Sequence, residues 1–409
     1  MTPPSAPQMP EATARPLDGV RVLEMGQLVA GPFAGTLLAY FGAEVIKIEP
    51  PGVGDPIRCW RGLDEDGTSL WWRTLARNKS CITVDLRQPE GRELARRLIL
   101  DSDVLIENFR PGRMEDWMLG PEDFKAEHPD LIYTRVSGFG QTGPLSSRPG
   151  YASVCEAFGG LRYLTGHPGQ MPVRANLSLG DSLAGFHAAF GILLALLQKR
   201  RPGGQGQLVD VSIFESVFNM LESVVPEYDR LGVVRQPAGT TITGVVPTNI
   251  YPCRDDKAVI IGANGDSNFK RLMHAAGRAD LAEDPRLAAN DGRVRHQEEL
   301  DGAIAAWTSS LSVDAVLDAL DEAKVPAGPI YDAADMFADP QYQARELFES
   351  VPVHDYEVKV PAILPKLDST PGRTEWAGPE LGEHTDAVLQ NRLGLSPSEL
   401  RDLREQGVI

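Results

Sequence analysis

One carboxylate stands where a carboxylate can act as a nucleophile. In the string ANLSLGDSLAG, Asp181 falls at the start of a long apolar run, three residues after Ser178. The free amides and dipole of a first helical turn keep such a group ionised. An ionised carboxylate can attack an acyl carbonyl to give a covalent intermediate, most readily when a thiolate is the leaving group. The same spacing, Ser178-x-x-Asp181, is also that of a capping box, in which both side chains only satisfy backbone amides.

Other strings were weighed beside it. Gly180-Asp181-Ser182-Leu183 spells the nucleophile motif of the GDSL esterases, with Ser182 attacking. That motif belongs after a first strand and is answered by a late Asp-x-x-His, and this chain has it mid-chain with no such partner. Gly26, Gly31 and Gly35 follow a strand and precede a helix, with Glu49 ending the next strand. Their spacing is not GxGxxG, so close helix–strand packing is the expected reason for them. Gly138, Gly140 and Gly143 form a second glycine-rich loop at a strand end. Basic groups cluster near loop positions, Arg77 and Lys79 with Asn78 before one strand, and Arg110 and Arg113 after Asn108 and Phe109. Such groups are candidate phosphate partners in an otherwise acidic protein. The seven histidines show no metal-binding spacing, and no metal is expected.

The elements that must hold these residues alternate. Strand candidates are 19–25, 43–49, 81–86, 103–109 and 131–139, separated by helical runs, which is the pattern of a parallel α/β sheet. A buried helix is expected over 178–201, then a turn and strand in GGQGQLVDVS. The expected division is a tail at 1–16, a first part of a large domain at 17–225, a small α+β domain at 226–330, and a return to the large domain at 331–409. Net charge of −17, with scattered basic residues, argues against nucleic acid as partner. The four cysteines form no CxxC pair, and no stretch reads as a signal core or as the ~20 apolar residues of a membrane span. A soluble cytoplasmic protein is the expectation.

Taken in order, the strings VLEMGQLVAGPFAG, FGAEVIKIEPPGVGDP, RNKSCITVDL, DVLIENFRPG, VSGFGQTGP, GDS at 180–182, GGQGQLVDVSIFES, VPAGPI and LGEHTDAVL resemble the class III CoA-transferases. That group includes formyl-CoA transferase, carnitine CoA-transferase and succinyl-CoA-dependent dicarboxylate enzymes. The resemblance spans nearly the whole chain. It implies a Rossmann-like large domain built from both chain ends, a smaller domain between, and an interlocked homodimer. It implies transfer of coenzyme A from an acyl-CoA, on motif wording succinyl-CoA, to a carboxylic acid, with Asp181 as the nucleophile that carries the CoA thioester. By similarity CoA meets Val29, Ala30, Arg77, Asn78, Lys79, Asn108, Phe109, Arg110, Arg113, Ser137, Gly138, Phe139 and Gly140. A mobile substrate loop aligns with Thr243, Gly244 and Val245 within 241–246. For the acceptor's remote carboxylate, Arg174 is a candidate. The chain departs from formyl-CoA transferase at Pro50, Asp116 and Ser137, where that enzyme has basic residues, so Arg58, Arg110 or Arg113 is expected to substitute. The related α-methylacyl-CoA racemases share the fold and are the alternative; they need a His/Asp acid–base pair, for which His167 is the upstream histidine. A nicotinamide dehydrogenase and a non-catalytic CoA-binding protein are the other classes considered.

Overall fold

The structure, a computed structural model, describes residues 14–409. The expected tail at 1–16 therefore lies mostly outside the described residues. The chain divides into two compact units. One contains the described residues to Leu161, Ala175–Leu221 and Glu346–Ile409; the other contains Arg162–Arg174 and Glu222–Arg345. Three short stretches thus fall differently from the expected division. Residues 162–174, 222–225 and 331–345 cluster with the second unit, the last carrying the helices Ala333–Ala338 and Pro340–Ala344.

The first unit is built on six strands, β1 (Arg21–Glu24), β2 (Glu44–Glu49), β3 (Lys79–Thr83), β4 (Val104–Glu107), β5 (Ile132–Ser137) and β6 (Leu208–Ser212). All pair in parallel, in the order β3-β2-β1-β4-β5-β6. The order reverses between β1 and β4, and in such sheets ligands bind beyond the carboxyl ends of the strands at that point. Runs such as Val-Leu-Ile-Glu at β4 are buried throughout because helices cover both faces. On one face the first helix, Ala30–Tyr40, and the long helix, Leu179–Lys199, bury Ala34, Leu38, Ala184, Ala188 and Ile192 against Val22, Val104 and Ile132. On the other, the helix Pro89–Leu100 and the C-terminal helices bury Leu94, Leu98, Leu389 and Leu400 against Leu23, Ile46 and Leu105.

The two helices of the first face touch closely because Gly185 has no side chain. A Cβ there would stand 2.7 Å from the Ala30 carbonyl oxygen and 2.9 Å from Phe33 Cβ. Against the expectation for apolar stretches, the long helix is, among the described residues, the one helix long and apolar enough by itself to cross a bilayer. One of its faces lies in the core, and the other leaves Phe186, Phe190, Leu194 and Leu197 exposed.

The second unit has an antiparallel sheet, β7 (Thr248–Pro252), β8 (Ala258–Gly262) and β9 (Ala327–Pro329), in the order β7-β8-β9. Helices pack Phe269, Leu300, Ile304 and Val316 beside it. A hairpin missed in the sequence, β10 (Phe348–Val353) with β11 (Tyr356–Pro361), returns the chain to the first unit.

Candidate functional site

The carboxyl end of β1 runs into the loop 26–28 and from there into Val29 and Ala30. Asn108, just past β4, clamps this loop across the reversal point: its Oδ1 accepts from the Gln27 amide at 2.8 Å and its Nδ2 donates to the Gln27 carbonyl at 2.7 Å. Gly26 is needed because a Cβ there would lie 2.8 Å from Asn108 Oδ1. Leu28 has a left-handed φ of 65°, a conformation that favours glycine. It is held there by its amide, which donates to both Asp55 carboxylate oxygens at 3.1 Å.

Beneath the loop, register places Glu24 opposite Lys47. Lys47 Nζ reaches Glu24 and Asp55 at 3.0 Å and the Gly26 carbonyl at 2.7 Å. Burial pulls the Lys47 ammonium down, and the charges of Asp55, Glu24 and Glu49 more than reverse that, so it stays protonated. The glycines read as packing residues are that: a Cβ on Gly35 would collide with the Glu24 carboxylate at 2.0 Å.

Three of the expected CoA contacts have their side chains committed within this arrangement. Lys79 opens β3 two residues earlier than expected, so Arg77, Asn78 and Lys79 lie at the amino end of the strand and are buried. Lys79 Nζ binds Glu24 and the Pro32 carbonyl, both at 2.7 Å. Arg77 binds Tyr40, Thr374 and the carbonyls of Thr74 and Pro361, and Asn78 ties down the backbone around Arg373–Trp376. They are structural anchors. Arg58 is likewise engaged, bidentate on Glu49 at 2.7 and 2.8 Å and stacked on Trp72.

A cavity of about 300 Å³ opens at the carboxyl ends of β1 to β4. Met25, Ile48, Phe109 and Trp117 are among its apolar lining, and Gln27, Glu49, Asp85 and Arg87 are its polar lining, with Glu49 already paired to Arg58. Phe109 meets Trp117 edge-on at 5.2 Å. Arg87, 82% exposed in its side chain, grips Asp85 with two hydrogen bonds of 2.8 and 2.9 Å. That hydrogen-bonded guanidinium pushes the Asp85 carboxyl down to about 2. Arg87 was missed in the sequence, although the rule of strand carboxyl ends points just past CITVDL and not before it. Arg110 is exposed, and Arg113 lies over the Trp117 ring. A larger groove, about 520 Å³, is lined by Glu90, Glu93, Glu399 and Asp402 with one arginine, Arg97, the wrong sign for a polyanion.

Asp181 occupies the first turn of the long helix and is half-buried. Gly185, where this helix meets Ala30, is one turn further on, about 6 Å along the axis. Ser178 makes no side-chain cap, so the serine half of the capping box is not formed. Ser182 Oγ donates to the Ser178 carbonyl at 3.0 Å, which commits that hydroxyl within its own helix. Past β5, Ser137 Oγ accepts from the Gly140 amide at 3.0 Å, and Gly138 packs on Gly150 so closely that a Cβ would be 2.9 Å from its Cα. Phe139 is buried among Phe158 and Phe214. Val29 and Ala30 are also buried.

Thr243, Gly244 and Val245 form a turn in the second unit, with Gly244 at φ 79°. Asn290 fixes it, donating to the Gly244 carbonyl at 2.8 Å and accepting from the Val246 amide at 3.2 Å. His167 and Arg174 belong to the same unit. Asp66, His354 and Glu380 bring three metal-ligand atoms within 4.8 Å, and the Arg73 guanidinium already bonds both of these carboxylates.

A sequence model described as CoA-transferase family III matches residues 17–385. The succinyl-CoA--D-citramalate CoA-transferase of Chloroflexus aurantiacus is 49% identical over 97% of this chain and 98% of its own length. The alpha subunit of succinyl-CoA--L-malate CoA-transferase from the same organism is 41% identical over 96% of this chain and 92% of its own. Among solved structures, a CAIB/BAIF family protein from Brucella suis superposes with a TM-score of 0.82 at 33% identity, covering 93% of this chain and all of that one.

Proposed function

The chain belongs to CoA-transferase family III, and from that premise we propose that it moves CoA from succinyl-CoA to a second dicarboxylic acid by way of a thioester on Asp181. The observation that carries this reading is a half-buried carboxylate in the first turn of a 21-residue helix, next to the helix that leads out of the sheet's reversal point. The donor and acceptor classes follow from relatives named for succinyl-CoA with citramalate and malate, matched along nearly their whole length.

The steps balance without an external proton or nucleotide. An Asp181 oxygen attacks the thioester carbonyl, the carbon–sulfur bond breaks, and CoA thiolate leaves a mixed anhydride. The thiolate attacks the Asp181 carbonyl, releasing succinate and leaving an aspartyl-CoA thioester. The acceptor carboxylate attacks that thioester to give a second anhydride. The thiolate then attacks the acceptor's acyl carbon and frees Asp181. One thioester replaces another of similar energy, so positioning and the covalent relay supply the acceleration.

We assign the CoA end to the cavity at the strand ends, with Phe109 and Trp117 as the stacking surface and Arg87, Arg110 and Arg113 as the phosphate partners. We further propose a homodimer in a reducing, cytoplasmic compartment. The exposed apolar stripe Phe186, Phe190, Leu194 and Leu197 supports a second copy as its cover, and four unpaired cysteines support the compartment. The test of the central reading is Asp181→Asn and Asp181→Ala with succinyl-CoA and a panel of dicarboxylates. CoA transfer should fall by about three orders of magnitude or more, and retained turnover in either variant removes the assignment.

A further inference from the structure

The long helix begins without the cap its sequence offers. Ser178 contributes no side-chain cap, yet Gly180, next to Asp181, is buried, and an unsatisfied amide there is costly. The acceptor comes from another element. Glu156, on the short helix Ala152–Phe158, is 3% exposed, and its Oε1 accepts from the Gly180 amide at 3.1 Å. A carboxylate so buried persists only where amides or cations satisfy it, and a helix N-terminus with its partial positive charge is such a place.

The fit is steric as well as polar. A Cβ on Gly180 would lie 3.1 Å from Glu156 Cγ and 3.1 Å from Ile213 Cγ2, so the glutamate stem packs closely on Gly180. The neighbouring Cys155 supports the placement. Burial first, and then the charges of Asp181 and Glu156, push its thiol up to about 11. Cys155 Sγ also donates to the Gly138 carbonyl at 3.3 Å. One seven-residue helix therefore holds both the Gly138 loop and the turn that presents Asp181.

We propose that Glu156 is the positioning residue of the nucleophile: it caps the Gly180 amide in place of Ser178 and thereby fixes the first helical turn from which the Asp181 carboxylate attacks. The proposal rests on Asp181 being the nucleophile. What Glu156 supplies is a hydrogen-bond acceptor of fixed length, so a glutamine, with the same reach and an oxygen at the same atom, can replace it, and a methionine, with similar volume and no oxygen there, cannot.

The experiment compares Glu156→Gln and Glu156→Met, with Glu156→Ala as a smaller second apolar variant, each checked for fold by circular dichroism. Steady-state kcat and KM for succinyl-CoA are measured together with the single-turnover rate of the hydroxylamine-labile adduct. The expected result is a fall of about 10- to 100-fold in kcat and in adduct formation for Met or Ala, with KM within about threefold and Gln within about threefold of wild type throughout. Met or Ala at wild-type kcat overturns the proposal, as does Gln impaired as deeply as Met, since that outcome assigns the effect to charge and not to the bond. Wild-type adduct formation in Asp181→Ala would instead overturn the nucleophile assignment, whatever the Glu156 variants do.

Discussion

At the scale of single residues, the structure separates exposed basic groups past the strand ends from buried basic groups that build the sheet. Lys79 is fully buried on Glu24, and its desolvation pulls the ammonium down from its ordinary range. Lys79→Met leaves a buried carboxylate short of a partner and should lower unfolding free energy by about 3–5 kcal/mol, measured by urea denaturation. The KM for acyl-CoA of the folded fraction should stay within about twofold. Arg87 is expected to behave in the opposite way. Arg87→Ala should lower stability at neutral pH only by the small contribution of an exposed ion pair and raise KM for acyl-CoA about tenfold by removing a charge-assisted phosphate contact. The same change alters acid behaviour. Asp85 is held at about 2 chiefly by the Arg87 hydrogen bond, below the ~3.9 of an unfolded aspartate. A depressed carboxylate contributes stability above the unfolded value, and that contribution disappears as pH falls from about 4 through about 2. In urea denaturation repeated across pH, wild type should therefore exceed Arg87→Ala above about pH 4, and the gap should close as pH falls to about 2.

At the scale of elements, the site is a meeting of the first and long helices with the strand ends. Gly185→Ala would push a methyl group into the Ala30 carbonyl and Phe33. It should cost about 1–3 kcal/mol of stability and also lower kcat, because Ala30 and Asp181 sit on the two helices being separated; thermal unfolding and steady-state kinetics read the two effects. Much of this scaffold was legible beforehand. β1, β2, β4 and β5 are short runs rich in Val, Ile and Leu between turn residues, the long helix announces itself by length, and Asp181 falls at its start. What could not be read depended on register and depth. Pairing Glu24 with Lys47 requires knowing that β1 and β2 lie in parallel. Arg77–Lys79 look like surface cations until β3 is seen to begin at Lys79. Glu156, in a string of mixed character, gives no sign that it is buried beneath the turn of another helix. The hairpin β10–β11 was hidden because Pro352 and Pro361 interrupt its alternation.

At the scale of the whole molecule, a chain with net charge −17 belongs to a family that acts on polyanionic acyl-CoA, and on the proposed reading it meets that charge with Arg87, Arg110 and Arg113 past the strand ends. Its long helix leaves large apolar side chains uncovered, Phe186 at 61% and Phe190 at 54% exposure. If a second copy covers them, Phe186→Glu combined with Phe190→Glu should shift the mass seen by light scattering from dimer to monomer; an unchanged mass places any self-contact elsewhere. The account as a whole turns on one covalent event at the head of that helix. The most direct measurement is to mix the enzyme with succinyl-CoA and no acceptor, quench in acid, and map the modified peptide by mass spectrometry. The account predicts a hydroxylamine-labile increment the size of CoA on the peptide containing Asp181, localised to that residue. Active enzyme whose Asp181 stays unmodified, or whose label maps to Ser182, would contradict it.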